Sequence, residues 1–309
     1  MPGTFRYNGS RVSWATRGTW KADGLSTKFH GKRRKARIES FSERLKKAVR
    51  RTGGCLCVGL DADPAKLPAG LPGDGQGVLR FCRSIIEATK DLAAAYKPNL
   101  AFFEALGAQG FEALELLRQS VPQDALFLAD AKRGDIGNTS RAYAKALYGI
   151  LRSDAVTLSP YMGGDAVSPF LEYEGTCSFV LCLTSNPSAV DFQTLELADG
   201  GRLYERVART ALAWGEGKKA EVGLVVGATQ TRYLKDLRAL APEACFLVPG
   251  VGTQGGDLKS VLEEGRARDG AGLLVNVSRQ VIYASPGNDF AEAAREQAKK
   301  LVGDMKGFF

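Results

Sequence analysis

Eight short apolar runs, each followed by a segment of helical period, constrain the fold of this chain more than any other feature. The runs are Cys55–Asp61, Ala94–Lys97, Leu126–Lys132, Ala155–Ser159, Ser178–Thr184, Val222–Gly227, Cys245–Pro249 and Gly272–Val277. Between and after them, helices are predicted over Gly77–Leu92, Phe111–Ser120, Ser140–Leu151, Asp165–Tyr173, Arg202–Gly215, Thr231–Ala239, Asp257–Glu264 and Asp289–Met305. Phe41–Arg51 reads as an additional helix ahead of the first strand. Near-continuous apolar runs belong to strands buried on both faces, and their alternation with helices belongs to a parallel sheet. Eight such units over about 260 residues predict an α/β fold, a (β/α)8 TIM barrel, occupying residues 41–309 as one domain. An open doubly wound sheet is the alternative, because strand order is not written in a sequence.

The charge of the chain is unevenly placed. Overall it is +8, yet residues 1–37 alone hold ten Lys and Arg against the single acid Asp23, which leaves the remainder at −1. The body is therefore nearly neutral, and nucleic acid is not an expected partner of it. Residues 1–40 lack a sustained apolar period and are expected to be a basic, disordered extension. An organellar transit peptide, Arg-rich and acid-poor, and a nucleic-acid arm carrying Trp14 and Trp20 are the other readings of this segment. It has no apolar core of the kind a secretory signal carries, and no stretch of the chain reaches the ~18 apolar residues of a membrane helix.

Residue types narrow the chemistry. The chain has one histidine, His30, in the basic extension, so neither histidine-based catalysis nor a histidine-ligated metal is expected in the body. The six cysteines form no Cys-x-x-Cys pair, and they read as buried, reduced thiols of a cytoplasmic protein. Proton transfer in the body must then fall to Lys, Asp, Glu, Tyr or Cys.

In a parallel barrel, functional groups gather at the C-terminal ends of the strands. The first strand runs into Asp61, the second ends Lys97-Pro-Asn, and the third ends Asp130-Ala-Lys132-Arg-Gly-Asp135. Residues 130 and 132 are two apart, so an extended strand directs both side chains to one face. Each residue taken singly is what a strand entering its loop often carries. Together they place alternating charges in one mouth, where each lysine holds its proton and each carboxylate its charge. Such an array can oppose a substrate carboxylate and offer an ammonium to a developing carbanion. The seventh run leads into Pro249-Gly250-Val-Gly252-Thr-Gln254-Gly-Gly-Asp257, and the eighth delivers Arg279. A glycine-rich turn before a helix, beside an arginine, is the usual phosphate site of a barrel. The turn also spells G-x-G-x-x-G, but it lies near the end of the chain and no acid ends the following strand, so a mononucleotide phosphate fits better than a dinucleotide. After the fifth strand, Thr184-Ser185-Asn-Pro opens a longer polar connection containing Asp191 and Gln193. Ser185 is a candidate ligand contact, although Ser-Asn-Pro is also ordinary turn chemistry.

Asp130-x-Lys132-x-x-Asp135-Ile136-Gly-x-Thr139 resembles the signature of the orotidine 5′-phosphate decarboxylase family, and the Lys97-Pro-Asn and Thr184-Ser-Asn-Pro forms resemble its longer-chain bacterial subgroup. Gly59-Leu-Asp61, Lys97-Pro98 and Pro249–Asp257 complete the resemblance in the family's order. It implies a lyase that converts orotidine 5′-phosphate to uridine 5′-phosphate and CO2, using neither metal nor organic cofactor. It also implies a homodimer with shared active sites. On this resemblance Lys97, Asp130, Lys132 and Asp135 form the catalytic tetrad, Asp135 crossing from the partner subunit. Asp61 and Lys97 hold ribose hydroxyls with help from Thr139 of the partner subunit. Ser185 meets the pyrimidine, and Gly250, Gly252, Gln254 and Arg279 grip the phosphate, Gln254 being preferred to Gln193. Two alternatives stand: a metal-dependent sugar-phosphate decarboxylase of the same superfamily, and a non-catalytic nucleotide- or RNA-binding protein acting through the basic extension.

Overall fold

The computed structural model describes residues 6, 7, 10, 11 and 37–309 except 253, 254 and 269, with the side chains of 6, 7, 10, 11, 230 and 231 left aside. Contacts divide the chain into Met1–Arg37 and Ile38–Phe309. In the first unit, the two-residue strands Arg6–Tyr7 and Ser10–Arg11 pair antiparallel. The expected disorder of the basic extension otherwise falls outside the described residues.

The second unit is a closed barrel. Its strands are β1 (Leu56–Gly59), β2 (Ala95–Lys97), β3 (Leu126–Arg133), β4 (Ala155–Leu158), β5 (Cys177–Leu183), β6 (Glu221–Val226), β7 (Phe246–Pro249) and β8 (Leu273–Val277). Each pairs in parallel with its sequence neighbours, and β8 closes on β1 through Val275↔Leu56, Asn276↔Cys57 and Val277↔Val58. That closure rules out the open sheet and leaves no strand edge unpaired. Nearly every strand residue is buried, as the apolar runs require.

The helix α1 (Phe41–Thr52) seals the N-terminal end of the barrel. Ser40 and Glu43 form a capping box that starts it. Phe41 meets Phe179 of β5 edge to face at 5.8 Å. Arg44 reaches Asp154, just before β4, at 2.6 Å, and the Gly175 carbonyl at 2.8 Å. The Ser42 amide and hydroxyl donate to Glu221 at the start of β6. With that end covered, the opposite mouth is the open end of the barrel among the described residues.

The connecting helices are α2 (Gly75–Thr89), α3 (Leu100–Glu104), α4 (Ala108–Arg118), α5 (Gly137–Ala144), α6 (Gly164–Val167), α7 (Leu203–Gly215), α8 (Thr231–Leu240), α9 (Leu258–Gly265), α10 (Arg279–Ile282) and α11 (Phe290–Met305). Two differ in kind from the predicted helices. The segment Ser140–Leu151 changes from α to π winding over Lys145–Ile150. The segment Asp165–Tyr173 becomes a single α-turn followed by a 3-10 turn, Ser168–Glu172, because Pro169 has no N–H to continue the ladder. All six cysteines are buried and unpaired.

Candidate active site

Strand β3 departs from straight pairing where its charges lie. Ala129 pairs with Val156, yet Arg133 pairs with Leu158, so β3 spends four residues where β4 spends two. The excess is taken up at Lys132, whose φ is 46°. Left-handed backbone at a residue with a long side chain costs about 1–3 kcal/mol and persists only where its surroundings impose it. The expectation of an extended strand with residues 130 and 132 side by side is therefore corrected: a bulge, not strand alternation, brings them together. Lys132 Nζ lies 2.6 Å from Asp130 Oδ1.

Asp130 is the hub. Its Oδ2 accepts from Lys97 Nζ at 2.8 Å, and its Oδ1 accepts from Lys132 Nζ and from the Thr157 hydroxyl at 2.8 Å. The Lys97 ammonium also stands 4.0 Å from Asp61 Oδ1. Lys97 and Asp130 are 3% and 8% exposed, so neither charge is tolerable without the other. Burial opposes ionisation of Asp130, but the Lys97 and Lys132 ammoniums outweigh it and hold the carboxyl far below the usual carboxylate range. Burial likewise works against the Lys97 cation, and the Asp130 and Asp61 carboxylates reverse the balance, raising it well above an ordinary lysine. Both groups thus keep their charges at neutral pH. The nearest thiol is no competitor as a nucleophile, since burial pushes Cys57 up to about 12.

These groups line a cavity of about 510 Å³ at the C-terminal mouth. Asp61, Lys97, Asp130 and Lys132 lie on one side. Ser185, Gly250 and Arg279 also line it, from the ends of β5, β7 and β8. Asp61 Oδ1 is buried there with no hydrogen-bond partner among the described residues, an acceptor open to a ligand's donor. Ser278 precedes α10 and bonds the Gly59 carbonyl at 3.1 Å, which places Arg279 at the rim.

The glycine turn behaves differently from expectation. Gly250 lines the cavity, but the Gly252 amide donates to the Gly256 carbonyl at 3.2 Å and is occupied within the turn. The Gly255 and Gly256 amides bond back to the carbonyls of Gly252 and Gly250. Gly252 serves the turn itself: its φ is 78°, and a Cβ there would sit 2.1 Å from Gln280 Oε1. Gln254 lies outside the described residues.

Asp135 and Thr139 do not line this cavity. Asp135 Oδ1 accepts from its neighbour's amide, Ile136 N, and Thr139 is exposed at the start of α5. Several cavity residues are not among the sequence-based candidates, the polar Asn99, Thr157, Asn276 and Ser278 among them. Thr157 and Asn276 carried a usable signal, being polar residues inside otherwise apolar strands. Gln193, ranked below Gln254, also lines the cavity. Its side chain accepts from the Thr184 amide at 2.7 Å and donates to the Thr184 hydroxyl at 2.9 Å, tying the long connection to the end of β5.

Residues 54–306 match the model of the orotidine 5′-phosphate decarboxylase / HUMPS family. The chain is 50% identical over 263 residues to the orotidine 5′-phosphate decarboxylase of Roseiflexus castenholzii, covering 85% of this chain and 96% of that protein. It is 47% identical over 264 residues to the enzyme of the same name from Dehalococcoides mccartyi, covering 84% and 95%. Among solved structures, the OMP decarboxylase of Leishmania donovani superposes with a TM-score of 0.74 at 40% identity, covering 86% of this chain and 98% of that one. The chain belongs to the orotidine 5′-phosphate decarboxylase / HUMPS family.

Proposed function

We propose that this protein decarboxylates orotidine 5′-phosphate to uridine 5′-phosphate and CO2 in pyrimidine biosynthesis, as a cytoplasmic homodimer without metal or organic cofactor. The observation that carries the reading is the Lys97–Asp130–Lys132 array at the mouth of a barrel plugged at its other end. Relatives at 47–50% identity bear the name of this activity over nearly their whole lengths.

Substrate enters with its phosphate toward Arg279, Gly250 and Gln254, and with its pyrimidine toward Ser185. Asp61 and Lys97 take ribose hydroxyls, which would give the buried Asp61 Oδ1 its missing donor. The substrate carboxylate then faces Asp130, whose charge cannot be shed because two ammoniums hold it. The C6–carboxylate bond breaks, CO2 leaves, and the electron pair remains on C6. Lys132 Nζ delivers a proton to that carbon and is reprotonated from solvent. Lys132 suits this role better than Lys97, because its side chain is 49% exposed against 4% for Lys97. A cofactor-free reaction fits the occupancy of Asp130, since a divalent cation binding there would have to displace ammonium groups from both oxygens.

Asp135 and Thr139 fit a role in the other subunit's site. They stand on an exposed segment, near Ile136 at 52% exposure, and the β4 loop exposes Tyr161 at 88% and Met162 at 46%. Such apolar exposure on the rim of the mouth suits a dimer face that carries Asp135 and Thr139 across. Among the described residues no helix is long and apolar enough to cross a membrane.

Steady-state turnover of orotidine 5′-phosphate tests the reading, and absence of turnover by folded protein would overturn it. In the same assay Arg279→Ala is expected to raise KM roughly 10- to 100-fold, as the loss of a charged hydrogen bond does, with kcat within a fewfold of wild type. An unchanged KM would contradict the phosphate role.

A further inference from the structure

We propose that Thr157 is a positioning residue of this site, a hydroxyl that fixes the relation between Asp130 and the proton-donating Lys132. The inference rests on the decarboxylase reading above and concerns a residue outside the tetrad.

Thr157 lies in β4 within the run Ala155-Val-Thr-Leu158 and is 2% exposed. A valine would fill the same volume in this apolar run, so the hydroxyl needs its own reason. Both of its bonds end on β3. It accepts from the Lys132 amide at 3.0 Å and donates its one proton to Asp130 Oδ1 at 2.8 Å. The chain from the Lys132 N–H through the Thr157 O–H to the carboxylate is aligned donor to acceptor, so each bond polarises the next. It also sits at the bulge, where the pairing of β3 with β4 has lost its register and cannot itself supply an acceptor for that amide.

Two consequences follow from this placement. The bond to the Lys132 amide holds the residue with its φ at 46°, and so sets where the side chain leaves the backbone. The bond to Asp130 gives the same carboxylate oxygen that meets the Lys132 ammonium a second fixed donor, which limits rotation of the carboxyl group. Without the hydroxyl, the amide loses its partner and the left-handed backbone one of its restraints. The ammonium then spreads over positions away from C6. Because the hydroxyl's proton is already given to Asp130, Thr157 has none left for substrate. Its loss should therefore appear in the chemical step and not in substrate binding.

The test compares Thr157→Val, Thr157→Ala and Thr157→Ser in full-length protein, with orotidine 5′-phosphate as substrate and thermal unfolding as the check on folding. Wild-type turnover establishes the underlying reading independently of these variants. Misplacement near the reacting atoms is expected to lower kcat about 30- to 100-fold in the valine and alanine variants, with KM within about twofold of wild type. Thr157→Ser, which restores the hydroxyl, should recover kcat to within about threefold. If the valine variant does not fold, the alanine and serine pair decides the question. A kcat near wild type in a folded variant lacking the hydroxyl would overturn the proposal. So would a serine variant as impaired as the alanine one, or a loss confined to KM.

Discussion

Replacing Lys132 by alanine is expected to lower kcat by about four orders of magnitude while the protein stays folded. A positioned proton donor contributes roughly 10²- to 10⁴-fold, and this one also supplies positive charge opposite a carbanion forming on C6. No neighbour can replace it. Lys97 is buried, is bound to Asp130 and holds its proton more tightly than an ordinary lysine. The fold should survive for an equally local reason. The Lys132 side chain is half exposed, and its removal leaves Asp130 still bonded to Lys97 and Thr157. No unpaired charge is stranded in the core. Steady-state kinetics with thermal unfolding decides the matter, and near-normal turnover would remove Lys132 from the mechanism.

The second large effect lies at the other end of the barrel and on stability. Asp154 is 7% exposed and joins three segments. Arg44 of α1 donates to its Oδ1 at 2.6 Å, the Phe127 amide donates to its Oδ2 at 2.8 Å, and Arg118 stands 3.5 Å away. Asp154→Ala leaves a buried amide without an acceptor and two arginines without their counter-charge. Breaking such a buried cluster costs about 3–5 kcal/mol. The side chains of Arg44 and Arg118 keep 30% and 25% exposure, which favours the lower figure. At roughly 2–4 °C per kcal/mol for a domain of this size class, Tm should fall by about 6–12 °C. KM and kcat at 25 °C should change little, because stability is carried at the end of the barrel remote from chemistry. A Tm shift under about 2 °C would show that α1 is held some other way.

The barrel was legible because burial on both faces leaves a strand no room for polar residues. The apolar runs therefore coincide with the observed strands to within two residues at each end. Helix type was less legible. The π segment at Lys145 and the 3-10 turn at Pro169 preserve the apolar face while altering the hydrogen bonds beneath it. The short helices Leu100–Glu104 and Arg279–Ile282 span too few residues to show a period at all.

In the site, charges at strand ends marked Asp61, Lys97, Asp130 and Lys132, and the cavity gathers all four. Sequence spacing misjudged how Asp130 and Lys132 meet, because a bulge depends on the partner strand and leaves no signature in β3 alone. Thr157 was passed over because threonine is an ordinary β-former, and only its two bonds distinguish it. The phosphate role expected of Gly252 meets the opposite difficulty, its amide being taken up within the turn. A glycine-rich turn signals close approach without saying whether a ligand or the turn itself is approached. Asp135 and Thr139 do not line the cavity, and the shared-site role proposed for them would need a second copy of the chain, which no single-chain pattern specifies.

In the proposed mechanism these charges break a carbon–carbon bond without a metal. This is tested most directly by supplying orotidine 5′-phosphate to the purified full-length protein in deuterated buffer with excess chelator. CO2 release is followed together with the product. One CO2 is expected for each uridine 5′-phosphate formed, with deuterium at C6 and a rate unchanged by the chelator. Turnover that disappears on chelation and returns with a divalent cation would contradict the mechanism, as would the absence of CO2 under either condition.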